Sequence, residues 1–171
     1  MSPATTSIDP IRINHRLPVP PADAFATFTD RMAAWWPHEA TWSGEALESI
    51  GIEPRAGGFC YERGPHGLRL DWGRVMAWEP PHRLTFSWQI GADRTPEPNP
   101  AHASEVEVLF EPESGSSSRM TLEHRGFERH AGDPAAYRDA MASASGWPLI
   151  LEHFRAVVVR RIEAPWEGLT T

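Results

Sequence analysis

Hydrophobic and polar positions alternate most regularly in the middle third of the chain. Leu84, Phe86, Trp88 and Ile90 share one face of a strand, and Thr85, Ser87 and Gln89 take the other. The next segment repeats the pattern. Val106, Val108 and Phe110 point inward; Glu105, Glu107 and Glu111 point outward, with Leu109 the one apolar residue on that outer face. In the following strand Met120, Leu122 and His124 are inward and Thr121, Glu123 and Arg125 outward. Such strands belong to an antiparallel sheet with one apolar and one solvated face.

Earlier in the chain the pattern is less regular. Ile11–Leu17 reads as the first strand. Pro20 and Pro21 end it and suit the first turn of a helix. Phe25, Phe28 and Met32 then fall on one helical face, and Pro37 closes this region. Strands are expected at Leu47–Glu53, Phe59–Arg63 and Leu68–Trp78, separated by Gly57-Gly58 and by Gly64–Gly67 and stopped by Pro80-Pro81. Which side chains of Leu47–Trp78 face inward is left open. Arg94–Ala103 and Glu113–Ser118 have turn and loop chemistry, the second as a hairpin connection.

The C-terminal region reads as helical. Asp133 is an N-cap with Pro134 at the first helical position. Gly146 and Pro148 predict a break or kink. After it, Trp147, Ile150, Leu151, Phe154, Val157 and Val158 form one wide apolar stripe. That stripe is the large apolar surface available to cover the sheet. The predicted fold class is therefore α+β: a curved antiparallel β-sheet wrapped around a long C-terminal α-helix, with two short helices after the first strand. A sheet curled around one helix leaves a gap, which side chains or a ligand must fill.

Composition narrows the function. The chain has 171 residues, 40% of them hydrophobic and 23% charged, which suits one globular domain. That domain is expected at residues 10–163, with short tails at 1–9 and 164–171. A net charge of -7 and no Lys/Arg run argue against a nucleic-acid partner. No apolar run approaches the length of a membrane span, and residues 1–10 carry neither the basic nor the apolar region of a signal peptide. The expected location is the cytoplasm. Cys60 is the one cysteine and reads as a small, half-buried strand residue.

The order of elements, with several local motifs, resembles the START-like superfamily, also called SRPBCC or birch-pollen-allergen-like. Within it the chain is similar to the homologues of the activator of heat-shock-protein-90 ATPase. The residues that carry the resemblance run in order along residues 10 to 163. They are V-P-P-A-D-A-F at Val19–Phe25 with Trp35-Trp36, P-R-A-G-G at Pro54–Gly58, and G-R-V at Gly73–Val75. W-E-P-P-H-R-L-T-F-S-W at Trp78–Trp88, S-E-V-E-V at Ser104–Val108, L-E-H at Leu122–His124 and Gly146-Trp147 complete the set. The resemblance implies a helix-grip fold with a cavity between sheet and C-terminal helix. It also implies binding of lipids, hormones or polyketides, with cyclase activity in some members. It does not carry a chaperone role to this chain, because the eukaryotic activator has an additional domain.

Candidate chemistry is sparse. Eight tryptophans stand at 35, 36, 42, 72, 78, 88, 147 and 166. They admit two readings, plain core packing or the lining of a ligand pocket. Trp35, Trp36 and Trp42 would form one rim of such a pocket, or an exposed surface for a protein partner. His124, on an inward face, needs a buried hydrogen-bond partner and is read as a core or cavity histidine, a ligand contact or a general acid/base. Arg74 would share a face with Trp72 and could clamp a carboxylate, against the plainer reading of a surface ion pair. Glu48, Glu53 and Glu62 gather near the first hairpin and read as solvated, with room for one to turn inward. His66 and His82 flank turns and read as exposed.

The candidate cavity residues are thus Trp36, Trp72, Arg74, Trp88, Leu122, His124, Trp147 and Phe154. The sequence holds no zinc-protease helix motif, Walker loop, dinucleotide fingerprint or nucleophile elbow, so neither a metal nor a cofactor is predicted. The expected partner is a small hydrophobic or aromatic molecule. An enzyme of cyclase, dehydratase or hydrolase type on the same cavity, and a co-chaperone-like interaction module, stand as alternatives. A homodimer is compatible with each.

Overall fold

Seven antiparallel strands form one curled sheet in the computed structural model, which describes residues 7–163. The strands are β1 (Ile11–Leu17), β2 (Ser49–Ile52), β3 (Phe59–Arg63), β4 (Arg69–Glu79), β5 (Arg83–Trp88), β6 (Ser104–Ser114) and β7 (Ser117–Arg125). Their spatial order is β1-β7-β6-β5-β4-β3-β2. The chain thus lays β2 to β7 side by side in sequence order and closes with β1 beside β7. Most of the expected tails, 1–9 and 164–171, and with them Trp166, lie outside the described residues.

Two short helices follow β1, as predicted: α1 (Pro21–Asp30) and α2 (Met32–Trp35). Pro20 occupies the N-cap of α1 and Pro21 its first turn, where a missing N–H costs nothing. The C-terminal region is two helices, α3 (Pro134–Ala142) and α4 (Trp147–Glu163). The side chain of Asp133 caps α3 by accepting from the Ala136 N–H at 3.1 Å. The break predicted at Gly146 and Pro148 is a full interruption. A Cβ at Gly146 would collide with the carbonyl oxygens of Ala140 and Met141.

The concave face of the sheet holds one continuous apolar cluster with α1, α2 and α4. Phe154 of α4 packs edge-on against Phe28 at 5.3 Å and Trp35 at 5.1 Å, and Phe28 meets Phe110 of β6 at 6.0 Å. The alternation read from β6 and β7 holds: Val106, Val108, Phe110, Met120, Leu122 and His124 are all fully buried. The outer face carries ion pairs across neighbouring strands, Arg12 with Glu123 at 2.6 Å, Arg125 with Glu105 at 3.1 Å and Arg83 with Glu107 at 3.0 Å.

Four details differ from the pattern reading. β5 ends at Trp88, and Ile90 instead bridges Pro96 within the loop. Thr85 and Ser87, on the polar face, are buried. They lie in the middle of the sheet, where Thr85 meets the Glu107 carboxylate of β6 and the Ser87 hydroxyl accepts from the Arg74 N–H and donates to Gln89. Cys60 is wholly buried rather than half-buried. Arg74 does not share a face with Trp72. β3 pairs Cys60 with Gly73 and Tyr61 with Asp71, so Trp72 is the extra residue of a β-bulge. The bulge flips the alternation: Trp72 is buried, while Arg74 is exposed outside, its guanidinium 4.7 Å from the Phe59 ring.

Candidate functional site

A concave pocket of about 270 Å³ opens where the helical break meets the sheet. Its floor is Trp36 and Trp88. One wall is α3 with the start of α4, through Tyr137, Met141 and Ile150. The opposite wall is Trp42 and Arg94, from the segment after α2 and the loop after β5. The interruption between α3 and α4 creates the opening. A continuous helix would carry backbone across this space, and Gly146 lets the chain turn there without a Cβ in the way.

Beneath the floor the interior is filled by indoles. Ring centroids lie 5.6 Å apart for Trp36–Trp72, 5.7 Å for Trp72–Trp88, 5.3 Å for Trp88–Trp147 and 6.2 Å for Trp36–Trp147. These are tilted and edge-on contacts of the kind aromatic quadrupoles favour. The indole N–H groups of Trp36 and Trp72 are buried without an acceptor among the described residues. Of the residues expected to line a cavity, Trp36 and Trp88 do so. Trp72, Leu122, His124, Trp147 and Phe154 pack in the core below, and Arg74 lies on the far side of the sheet. Of the expected aromatic rim, Trp36 and Trp42 border the pocket. Trp35 is buried, its indole N–H donating to the Thr27 carbonyl at 3.0 Å. Trp35 and Trp36 therefore form no exposed patch for a protein partner.

His124 is one link in a buried chain of hydrogen bonds. Trp147 Nε1–H donates to His124 Nδ1 at 2.9 Å, so the imidazole proton sits on Nε2. That nitrogen lies 2.7 Å from Ser104 Oγ, which lies 2.7 Å from His130 Nε2. The Ser104 backbone N–H also donates to His130 Nε2 at 3.2 Å, which makes that nitrogen an acceptor. The direction is then determined throughout: Trp147 to His124, His124 to Ser104, Ser104 to His130. Burial, and secondarily the charge of His130, push the His124 pKa well below the ordinary value. Burial also lowers that of His130, partly offset by Glu97. Both rings are neutral near pH 7. The chain has no member among the pocket-lining residues and ties the start of α4 to β6 and β7.

The pocket wall is held by groups far apart in sequence. Trp42 Nε1–H donates to the Arg94 carbonyl at 2.6 Å. The Arg94 guanidinium returns across the gap to the carbonyls of Glu39 and Thr41 at 3.3–3.4 Å. Of the three glutamates near the first hairpin, Glu62 turned inward and is fully buried. Its carboxylate accepts from the N–H of Trp42 at 3.1 Å, the N–H of Ser43 at 2.8 Å and the hydroxyl of Ser43 at 2.7 Å. Glu62 thereby fixes the backbone that carries Trp42. On the other wall Tyr137 Oη accepts from Trp88 Nε1 at 2.8 Å and donates to the Ile90 carbonyl at 2.7 Å. Burial raises the Tyr137 pKa to about 12, so the phenol stays protonated.

Sequence reasoning missed Arg94, Tyr137 and Met141. Tyr137 and Met141 stand at i and i+4 on α3, a spacing that marks a shared helical face. Arg94 sits in a proline-rich loop that carries no periodic signal.

The chain matches the family model described as activator of Hsp90 ATPase homolog 1-like protein over residues 18–159. Among solved structures it is similar to an anthrahydroquino-gamma-pyrone synthase, Txn09, at 30% identity and TM-score 0.63, covering 88% of this chain and 97% of that one. It is similar to the self-sacrificing resistance protein CalC of Micromonospora echinospora at 24% identity and TM-score 0.63, covering 89% and 95%. Protein NE0264 of Nitrosomonas europaea shares the fold at 16% identity and TM-score 0.60, over 91% and 99%. No curated protein matches the chain. The curled seven-stranded sheet closed by a C-terminal helix, together with the match over residues 18–159, places this chain in the family of activator of Hsp90 ATPase homolog 1-like proteins, within the START-like superfamily.

Proposed function

We propose that the protein binds a small, mostly apolar molecule in the pocket floored by Trp36 and Trp88. The observation that carries this reading is the pocket itself. Aromatic side chains line it on several sides, and its few polar groups stand at the edges, which is the usual composition of a small-molecule site. An engineered apolar cavity of about 150 Å³ holds benzene; at about 270 Å³ this one has room for a larger ring system. Affinity comes from apolar burial, and the polar edge orients the ligand. The test is a thermal-shift screen with flavonoids, aromatic acids, sterols and fatty acids. A ligand at about 100 times its dissociation constant stabilises by roughly 2.7 kcal/mol. Ala140 lines the pocket and is exposed, so Ala140→Trp obstructs it without disturbing the core. Hits that vanish in Ala140→Trp support the reading. Silence across the panel, or hits indifferent to that substitution, overturns it.

A second reading is an enzyme of cyclase type on the same pocket. It is favoured by the 30% identity to a protein described as an anthrahydroquino-gamma-pyrone synthase. Its proton donor would be Tyr137, which lines the pocket and must release its hydrogen bond to the Ile90 carbonyl to act. Mass spectrometry after incubation decides: a bound ligand recovered unchanged rejects the enzyme and leaves the binding protein.

A further inference from the structure

The pocket's hydrogen-bonding groups are not equally committed. Tyr137 Oη is used both as acceptor and as donor, and the indole N–H groups of Trp42 and Trp88 are each bound. Arg94 is different. Its guanidinium reaches only neutral carbonyls, at 3.3–3.4 Å, and it forms no ion pair among the described residues. A full positive charge therefore stands at the pocket edge with weak bonds that a better acceptor can replace. Its backbone is also held at φ +67°, a left-handed conformation uncommon for a residue with a Cβ. Outliers of this kind gather at ligand clamps, where surrounding bonds maintain them. Here the turn bond from the Arg94 N–H to the Gly91 carbonyl at 2.9 Å and the bond from Trp42 to the Arg94 carbonyl do so.

The rest of the pocket surface is aromatic and aliphatic, apart from Glu39 and Ser145 at the rim. Ser145 already meets Ser143 at 3.2 Å. Glu39 is the one opposing charge among the lining residues, and its backbone carbonyl, not its carboxylate, is what Arg94 holds.

We propose that the ligand is an aromatic anion, its rings over Trp36 and Trp88 and its carboxylate or phenolate against the Arg94 guanidinium. This rests on the pocket being the binding site. The guanidinium fork matches a carboxylate in two parallel hydrogen bonds. Displacement of the carbonyls of Glu39 and Thr41 would couple the anion directly to the wall that carries Trp42.

Three naphthalene probes of one shape separate the possibilities: the carboxylate, the neutral carboxamide and the methylammonium. Binding is read by quenching of tryptophan fluorescence in the wild type, Arg94→Lys and Arg94→Met. The bond from Trp42 uses the backbone carbonyl of residue 94, so both variants keep it. The expected result is a carboxylate that binds about fivefold more tightly than the carboxamide in the wild type, the scale of a partly exposed ion pair. That preference persists in Arg94→Lys, disappears in Arg94→Met and shrinks with added salt. Equal binding of carboxylate and carboxamide overturns the anion and leaves the pocket. Tightest binding of the methylammonium overturns it in favour of Glu39. A carboxylate preference that survives Arg94→Met overturns the role of Arg94. Failure of all three probes to bind overturns the pocket reading as well.

Discussion

Trp147 donates its indole hydrogen to His124 Nδ1 at 2.9 Å, tying the first residue of the C-terminal helix to the end of β7. Both side chains are fully buried, so the bond has no water to fall back on. His124→Ala removes the acceptor for Trp147 and a partner of Ser104, and leaves a cavity. It is expected to destabilise by about 3 kcal/mol. Trp147→Phe keeps an aromatic ring and removes the donor, with an expected cost of about 2 kcal/mol. Urea denaturation measures both. Costs under about 0.5 kcal/mol, the range of surface substitutions, would mean that the chain of hydrogen bonds contributes nothing.

The same residues make stability depend on pH. Folding holds the pKa values of His124 and His130 below the ordinary histidine value. In the unfolded chain these rings take up protons near pH 6.5; in the fold they do so only at lower pH. The unfolded state therefore binds more protons over that interval, and stability falls as pH drops. The full contribution is present above about pH 6.5 and is lost as pH falls toward the folded pKa values. Denaturation midpoints at successive pH values between neutrality and pH 5 should decline in the wild type. They should decline less in a His124→Gln, His130→Gln double variant. Identical slopes would show that other groups control the decline.

Glu62 is a buried carboxylate bonded to two backbone N–H groups and one hydroxyl. Glu62→Ala leaves those half-buried donors unpaired, at an expected cost of about 2 kcal/mol. It also frees the backbone under Trp42, so any pocket ligand should dissociate faster. Glu62→Gln keeps the shape but points an NH₂ at a donor, and should recover only part of the loss. A Glu62→Ala protein as stable as wild type, with unchanged ligand release, would remove Glu62 from the account of the pocket.

Gly146 stands where a Cβ meets the carbonyls of Ala140 and Met141. Gly146→Ala must shift the end of α3 or the start of α4. The expected cost is about 2 kcal/mol, typical of overpacking. Because the shift falls on the pocket wall, ligand affinity should drop with it. A thermal midpoint and an affinity both equal to wild type would show that the helical break relaxes freely.

Much of the fold was legible in the chain because period-two alternation is a local property. Val106 to Phe110 and Met120 to His124 face inward as read, and the caps and prolines around α1 and α3 stand where the sequence places them. The inward placement of His124 was legible too, though its partners were not: Ser104, His130 and Trp147 meet it only through the register of β6 with β7 and the docking of α4. Trp72 and Arg74 were assigned one face because two residues apart means one face in a regular strand. The bulge that separates them is a property of pairing with β3, which a single strand does not encode. The pocket belongs to the same class of feature. Arg94 and Thr41, or Tyr137 and Trp88, lie dozens of residues apart and become neighbours only when loop, helix and sheet are brought together. The sequence by itself determined which faces are apolar, since burial follows side-chain chemistry repeated at the period of each element. The tertiary structure decided where the apolar interior stays open, because that depends on how the indoles pack against one another and on where the helix breaks.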